Sequence, residues 1–487
     1  MSAMQDLWGQ GLRGNDPFPD WRICAWGAGF LLTLVACIRL GRRPIPPGRL
    51  VAEFKGFIWD RQTFCQHFLI TGVTGAGKTL SGMVRLLFQV FTHQPRFGGL
   101  CVDVKGTLHE LVSEMAAHFQ RSGDLVVLRL RSPADPENWV PQHRINLVGD
   151  RSIPFSTLAR FVVDTAVALG DRNGQSFFRK ATQIFIEMAF KALFALGYDV
   201  TLENAHDLLV DPAETQRAMQ ELLANEATRT LGEELQGYLG QPPEQLAGII
   251  GTIRNYLHYF TDPAVAEVFC RDSTFALKDV DQGKIICLAL PQSYQTERRF
   301  VGTFLKLLFY SHGLARFDAP KAERAGHNLL VLLADECQQF VTSSEDGLSD
   351  HNVVDLVREA GLGIIAATQS TTSLIPPLGA EAAKVFTLNF RNRLIFSAAD
   401  EDDAKASAEF LGKKIVRNKS WTWTGGKRSQ TLTEAEDYRI KPHELRKLRK
   451  HQCVIVHADG KFRKRMLPPL EPDGTVARWY RRFWFTR

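Results

Sequence analysis

Short apolar runs that end in polar or charged residues recur along the chain and predict the strands of a buried sheet. The clearest are residues 67–71 (HFLIT), 329–334 (LLVLLA) and 363–368 (GIIAAT). Runs of this kind are typical of strands that are covered on both faces, as in parallel sheets. Residues 80–91 instead repeat apolar side chains at helical spacing, so a helix follows the first run after a short loop. We therefore expect an α/β fold with a mainly parallel central sheet.

A long middle segment has a different pattern. Residues 152–265 lack the alternation of strands, and apolar residues between 177 and 193 recur at intervals of three and four. Residues 245–260 form a second amphipathic stretch. We predict an inserted all-α subdomain over residues 151–268.

The N-terminal part contains a candidate membrane segment. Residues 23–38 are sixteen uncharged residues between Arg22 and Arg39. As a helix they would cover about 24 Å, short of the ~30 Å hydrocarbon layer unless the flanking arginines reach outward. Arginines follow the segment and aspartates precede it, which favours a cytoplasmic location for the bulk of the chain. A lipoprotein cleavage box at residues 34–37 and a buried helix are the two alternatives.

Composition excludes several classes of protein. The chain has 487 residues, a net charge of +6 and eight scattered cysteines that form no C-x-x-C pair. A zinc ribbon and a secreted disulfide scaffold are therefore unsupported. The length predicts more than one structural unit.

A phosphate-binding loop follows the first apolar run. Residues 72–79 (GVTGAGKT) match G-x-x-x-x-G-K-[ST] at every fixed position, between a predicted strand and a predicted helix. Backbone N–H groups of such a loop wrap phosphates, the lysine reaches the β/γ-phosphates and the hydroxyl holds Mg²⁺. The predicted nucleotide-binding residues are Gly72, Val73, Thr74, Gly75, Ala76, Gly77, Lys78 and Thr79.

Two acids end the second apolar run and complete a predicted ATPase site. Asp335 suits a Mg²⁺ ligand together with Thr79, and Glu336 is then placed to polarise the attacking water. Gln369 ends the third run, where an amide could sense the γ-phosphate. ATP and Mg²⁺ are the predicted cofactors, with Lys78, Glu336 and Gln369 as catalytic residues.

Further segments resemble the coupling proteins of type IV secretion, the P-loop ATPases that deliver DNA and protein substrates to conjugation channels. The similar segments run from about residue 65 to 460 and include Cys101–Gly106 (CVDVKG), Arg144–Leu147 (RINL), Ile285–Pro291 (IICLALP), Arg358–Gly363 (REAGLG), Gln369-Ser370 and Asn389–Arg393 (NFRNR). The resemblance implies a RecA-like fold with a helical insertion. It also implies a sensor role for Gln369, and for Arg358 an arginine finger that acts on a neighbouring protomer's nucleotide.

The same resemblance implies a function and partners. We expect a single-pass protein of the bacterial inner membrane, with a cytoplasmic catalytic domain, that uses ATP hydrolysis to recruit and transfer DNA or a DNA–relaxase conjugate. Single- or double-stranded DNA, a relaxase or protein substrate, secretion channel subunits and a homo-hexamer are the expected partners. The alternatives are a chromosomal or viral DNA-translocating ATPase of the same superfamily and a nucleotide-gated docking platform for secreted proteins.

The predicted domains follow from these motifs. An N-terminal segment (1–22), a membrane helix (23–39) and a linker (40–64) precede the nucleotide-binding domain, whose two parts (65–150 and 269–465) flank the insertion. A basic, aromatic tail (466–487) ends the chain, and its arginines and aromatic residues suit nucleic acid, an anionic membrane, or core and subunit contacts.

Overall fold

The computed structural model describes residues 48–170, 176–324, 326–344, 347–424 and 427–485. The predicted membrane segment at residues 23–38 lies outside this part of the chain. Among the residues that are described, no helix combines the length and apolar character needed to cross a bilayer. The membrane anchor therefore stays a prediction.

Most strands of the described part are short. Their bounds are β1 (Leu50–Phe54), β2 (Phe57–Asp60), β3 (Phe68–Thr71), β4 (Gly98–Val102), β5 (Leu125–Leu128), β6 (Ile285–Leu288), β7 (Leu330–Ala334), β8 (Leu362–Thr368), β9 (Asn392–Ile395), β10 (Lys413–Thr424), β11 (Lys427–Tyr438), β12 (Gln452–Val456) and β13 (Phe462–Met466).

Nine of these described strands form one sheet, in the order β13-β12-β9-β3-β8-β7-β4-β6-β5. The strands from β9 to β5 pair in parallel, while β12 runs antiparallel to β9 and β13. Every residue of β3, β7 and β8 is buried, which explains why their sequences are continuous apolar runs. The prediction of an α/β fold with a mainly parallel sheet is confirmed.

Helices connect the strands and cover the sheet. Their bounds are α1 (Arg61–Phe64), α2 (Val84–His93), α3 (Leu108–His118), α4 (Phe155–Leu169), α5 (Ser176–Ala195), α6 (Leu202–Val210), α7 (Pro212–Ala224), α8 (Arg229–Leu239), α9 (Pro243–Leu257), α10 (Pro263–Phe269), α11 (Gln295–Ala315), α12 (Lys321–Arg324), α13 (Asp350–Glu359), α14 (Ile375–Leu378), α15 (Ala380–Asn389), α16 (Glu401–Leu411), α17 (Pro442–Arg446) and α18 (Arg478–Phe485).

Helices α4 to α10 lie between β5 and β6, in the region where the sequence predicts the helical insertion. They share a core with one face of the sheet, since Leu69 and Val102 belong to the same apolar cluster as Phe161 and Phe190. The opposite face packs against α2 and α3 through a second cluster that includes Phe68 and Leu87. The sheet is therefore buried on both sides.

The strand order positions the site. Because parallel strands end at the same edge of a sheet, the segments after β3 and β7 meet at one edge. Only β8 separates the two strands, so their ends lie about 10 Å apart. That spacing brings the phosphate-binding loop and the acid pair within reach of one bound molecule.

Candidate nucleotide-binding site

The loop after β3 adopts a conformation that requires glycine. Gly72, Gly75 and Gly77 have φ values of +149°, +80° and +107°, in the left-handed region. A Cβ at Gly77 would also lie 2.6 Å from Nδ1 of His451. The backbone N–H of Gly72 donates to the carbonyl of Gln369, and that of Val73 donates to the carbonyl of Ser397. Neighbouring strand ends therefore hold the loop in place.

Lys78 begins the helical segment that follows the loop. A π-helical turn over Lys78–Met83 leads directly into α2. The Lys78 ammonium is buried and donates to the Gly72 carbonyl at 2.6 Å. Burial lowers the pKa of Lys78, while the carboxylates of Glu336 and Asp335 act in the opposite direction. The lysine is thus folded against the loop and faces the two acids.

The acid pair follows β7. Asp335 is buried, and its Oδ1 accepts a hydrogen bond from the backbone N–H of Glu336 at 3.0 Å. Burial and the neighbouring Glu336 raise the pKa of Asp335 to about 6. Glu336 is half-buried and has a left-handed backbone with φ 50°, a conformation that costs about 1–3 kcal/mol in a non-glycine residue. Strained residues of this kind cluster at functional sites.

The loop and the acids line one cavity of about 270 Å³. The predicted site residues that line it are Thr74, Gly75, Gly77, Lys78, Thr79, Asp335 and Glu336. The remaining loop residues, Gly72, Val73 and Ala76, are bonded through their backbones to the surrounding chain. The structure therefore brings together the predicted phosphate-binding and acidic residues.

The donor set fits Mg²⁺ bound to a nucleotide. Thr79 supplies a hydroxyl and Asp335 supplies a carboxylate. The pKa of Asp335 is raised in this structure, and a bound cation would lower it. Among the described residues, no group of three or more His, Cys, Asp or Glu side chains forms a metal site. Mg²⁺ does not need such a group, because it usually keeps several waters and binds through one or two protein ligands plus phosphates.

Gln369 and Arg358 lie outside this cavity. Gln369 follows β8, and although its carbonyl contacts the loop, its side chain is exposed and does not line the cavity. Arg358 lies in the last turn of α13, shortly before β8 begins, and its guanidinium lies 3.7 Å from the Glu359 carboxylate. The length of β8, about 23 Å for seven residues, separates the two sheet edges. Arg358 is therefore at the edge opposite to the cavity of its own chain.

Five cavity residues are missing from the predicted site residues: Leu80 directly follows the loop, and four more come from other parts of the chain. Lys105 lies after β4 and faces Lys78 and Asp335, whereas Lys450, His451 and Trp479 come from the C-terminal part. The strand end at residues 101–106 is a signal that points to Lys105, because β4 is parallel to β7. No local pattern identifies the other three. Lys450 and His451 directly precede β12, on the antiparallel side of the sheet, and Trp479 lies in α18.

A buried polar network supports the chain segment that follows the acids. Asp350, at the start of α13, pairs with the Lys306 ammonium and accepts hydrogen bonds from the Tyr310 hydroxyl and the Thr342 backbone. Lys306 also donates to the Phe340 carbonyl at 2.5 Å. The network joins three parts of the chain: α11, the segment that follows β7, and α13. Helix α13 is the one that carries Arg358.

Comparison with known proteins identifies relatives. Residues 42–462 match the family described as Type IV secretory system Conjugative DNA transfer. Solved structures of the bacterial conjugative coupling protein TrwB have a similar fold. Its complex with ADP and Mg²⁺ has a TM-score of 0.64 and 16% identity, over 90% of this chain and 94% of that one.

Two further TrwB complexes are also similar. The complex with a non-hydrolysable ATP analogue has a TM-score of 0.62 and 16% identity, with coverage of 88% of this chain and 91% of that one. The complex with a GTP analogue has a TM-score of 0.62 and 15% identity, with the same coverage. At this level of identity the likeness shows the fold. No curated protein sequence matches the chain significantly.

Proposed function

Because the chain belongs to the conjugative DNA-transfer family of type IV secretory systems, we propose that it is a membrane-anchored ATPase that drives DNA, or a DNA–relaxase conjugate, into a secretion channel. The observation that carries this proposal is the convergence of Lys78, Thr79, Asp335 and Glu336 on one cavity. The TrwB complexes with ADP and Mg²⁺ and with ATP and GTP analogues support nucleotide and Mg²⁺ binding.

The loop residues bind the phosphates of ATP. Left-handed glycines expose backbone N–H groups to the phosphate oxygens, and the Lys78 ammonium, released from the Gly72 carbonyl, pairs with the β/γ-phosphates. Thr79 and Asp335 would hold Mg²⁺. When bound, the ion neutralises charge that develops on the phosphates.

Glu336 orients and polarises the water that attacks the γ-phosphate. Its carboxylate stands beside Asp335 in the cavity, and the Gln338 side chain donates to it at 2.7 Å, which restricts its position. Phosphoryl transfer depends on positioning and charge stabilisation more than on covalent help. Arg358 serves the nucleotide of a neighbouring protomer, and Gln369 senses the γ-phosphate from the end of β8.

Glu336→Gln tests the assignment of the water-polarising residue. We expect the variant to bind ATP normally but to lose turnover, because the amide cannot accept a proton from water. Glu409→Gln, on the exposed surface of α16, is the matched control and should keep full activity. Full ATPase activity of Glu336→Gln would rule out this role.

The cellular role is tested by partners. We propose a homo-hexamer anchored in the bacterial inner membrane through residues 23–38, with the catalytic domain in the cytoplasm. Co-purification with a relaxase or with channel subunits is the expected result. A DNA-translocating ATPase outside secretion would show DNA-stimulated turnover without either partner, and a docking platform would bind protein substrates with turnover insensitive to nucleic acid.

A further inference from the structure

The C-terminal part of the chain supplies one wall of the nucleotide cavity. Lys450 and His451 precede β12, and Trp479 lies in the first turn of α18. These residues follow the phosphate-binding loop by more than 370 positions in the sequence. None of them belongs to the phosphate-binding or acidic groups described above, so their presence in the cavity calls for a separate role.

His451 is fixed against the phosphate-binding loop. Its backbone N–H donates to the Ala76 carbonyl at 2.9 Å, and its Nδ1 lies 2.8 Å from the Ser81 hydroxyl. The side chain is 4% exposed, yet Nε2 has no hydrogen-bond partner among the described residues. A buried ring nitrogen without a partner is unfavourable, and a molecule that enters the cavity can supply one.

Trp479 presents an aromatic surface in the same wall. Its ring centroid lies 5.6 Å from that of His451, and the Lys450 ammonium lies 5.5 Å from the indole centroid. Although it contacts these residues, the side chain is 49% exposed. A large aromatic residue that is half-exposed in a cavity has a free surface on which a flat ligand can stack.

The cavity residues form two groups that match the two ends of a nucleotide. Lys105, Asp335 and Glu336 surround Lys78, where the terminal phosphates and Mg²⁺ bind. His451 instead contacts Gly77 and Ser81, and Trp479 packs on His451. His451 precedes β12, which lies across β3 from β7 in the strand order. A nucleotide whose phosphates occupy the loop must extend its nucleoside away from the acids.

From this arrangement we propose that His451 and Trp479 form the nucleoside subsite of the cavity. The Trp479 indole stacks on the base, and Nε2 of His451 forms a hydrogen bond with the nucleoside. The proposal rests on the proposed nucleotide-binding function and adds to it the residues that recognise the nucleoside. It also gives the first turn of α18 a ligand-binding role in place of a nucleic-acid or membrane contact.

Calorimetric titration with ADP and with pyrophosphate, each with Mg²⁺, tests this subsite without turnover, because the two ligands differ by the nucleoside. For Trp479→Ala in the full chain, we expect ADP to bind about tenfold more weakly, the scale of one stacked base. Pyrophosphate should bind as it does to the wild type. Trp479→Phe should restore most of the ADP affinity.

Trp421→Ala is the matched control, because Trp421 is also 49% exposed but lies on β10, away from the cavity. It should leave the affinities for both ligands unchanged. The subsite is refuted if Trp479→Ala weakens both ligands equally, which would indicate a support of the loop, or if it weakens neither. Absence of ADP and pyrophosphate binding in the wild type would instead overturn the nucleotide-binding function itself.

Discussion

Two inactive variants should restore each other's activity if Arg358 acts on a neighbouring protomer. Arg358 precedes β8 and the cavity lies beyond the other end of the sheet, about 23 Å away along that strand. One arginine side chain cannot span that distance. We therefore expect Arg358→Ala and Glu336→Gln to be inactive alone, for lack of the finger and of the water-polarising carboxylate respectively.

The extent of recovery follows from counting sites. In a ring of equally mixed variants, a working site needs a protomer with Glu336 and an adjacent protomer with Arg358. Each condition is met half of the time, so about a quarter of the wild-type turnover should return if sites act independently in a head-to-tail ring. An arginine that served its own chain would give no recovery, since every protomer lacks one of the two groups.

The assay is steady-state ATP turnover on co-assembled protein, with the ratio of variants varied across the series. Recovery should be greatest at equal amounts and fall toward zero at either end. Arg217→Ala is the matched control, because Arg217 is an exposed helical arginine paired with Glu214 on α7. Activity of Arg358→Ala alone, or no recovery at any ratio in assembled rings, would refute the reasoning.

Two further predictions concern stability. Lys306→Met should lower the free energy of unfolding by about 3–5 kcal/mol, because Asp350 is 2% exposed and would keep a buried charge; urea unfolding measures this, and a loss below about 1 kcal/mol would contradict it. His67 donates through Nε2 to Val354 and accepts at Nδ1 from Ile364, and burial lowers its pKa to about 4. Because the unfolded chain binds the proton near pH 6.5, the free energy of unfolding should fall as pH drops from 6.5 toward 4. His67→Gln should reduce that slope, and an unchanged slope would contradict the assignment.

The parts of the site that are predictable from sequence are those set by local chain geometry. The loop at Gly72–Thr79 connects a strand to a helix within one segment of the chain. Asp335 and Glu336 follow an apolar run whose length is typical of a buried strand. Their convergence needs one additional rule, that parallel strands end at the same edge. The apolar spacing within residues 152–265 predicted the helical insertion, and family likeness supplied the role assigned to Arg358.

The C-terminal wall of the cavity follows from contacts that no local pattern encodes. His451 reaches the loop because β12 pairs antiparallel with β9, which in turn pairs with β3. Sequence analysis has no means of ordering those strands, so it left nucleic-acid, membrane, and core or subunit contacts open for the aromatic residues near the C-terminus. In the structure, Trp479 lies in the nucleotide cavity instead.

The strand topology also constrains how protomers must assemble. The nucleotide cavity lies at the carboxyl edge of the sheet and Arg358 at the amino edge. In a two-fold interface each contact between residues i and j is repeated between j and i, so both sheet edges would have to lie in one surface patch for each Arg358 to reach the partner's nucleotide. A head-to-tail interface instead sets the amino edge of one protomer against the carboxyl edge of the next. If Arg358 is a finger, repetition of that contact must close into a ring or continue as a filament.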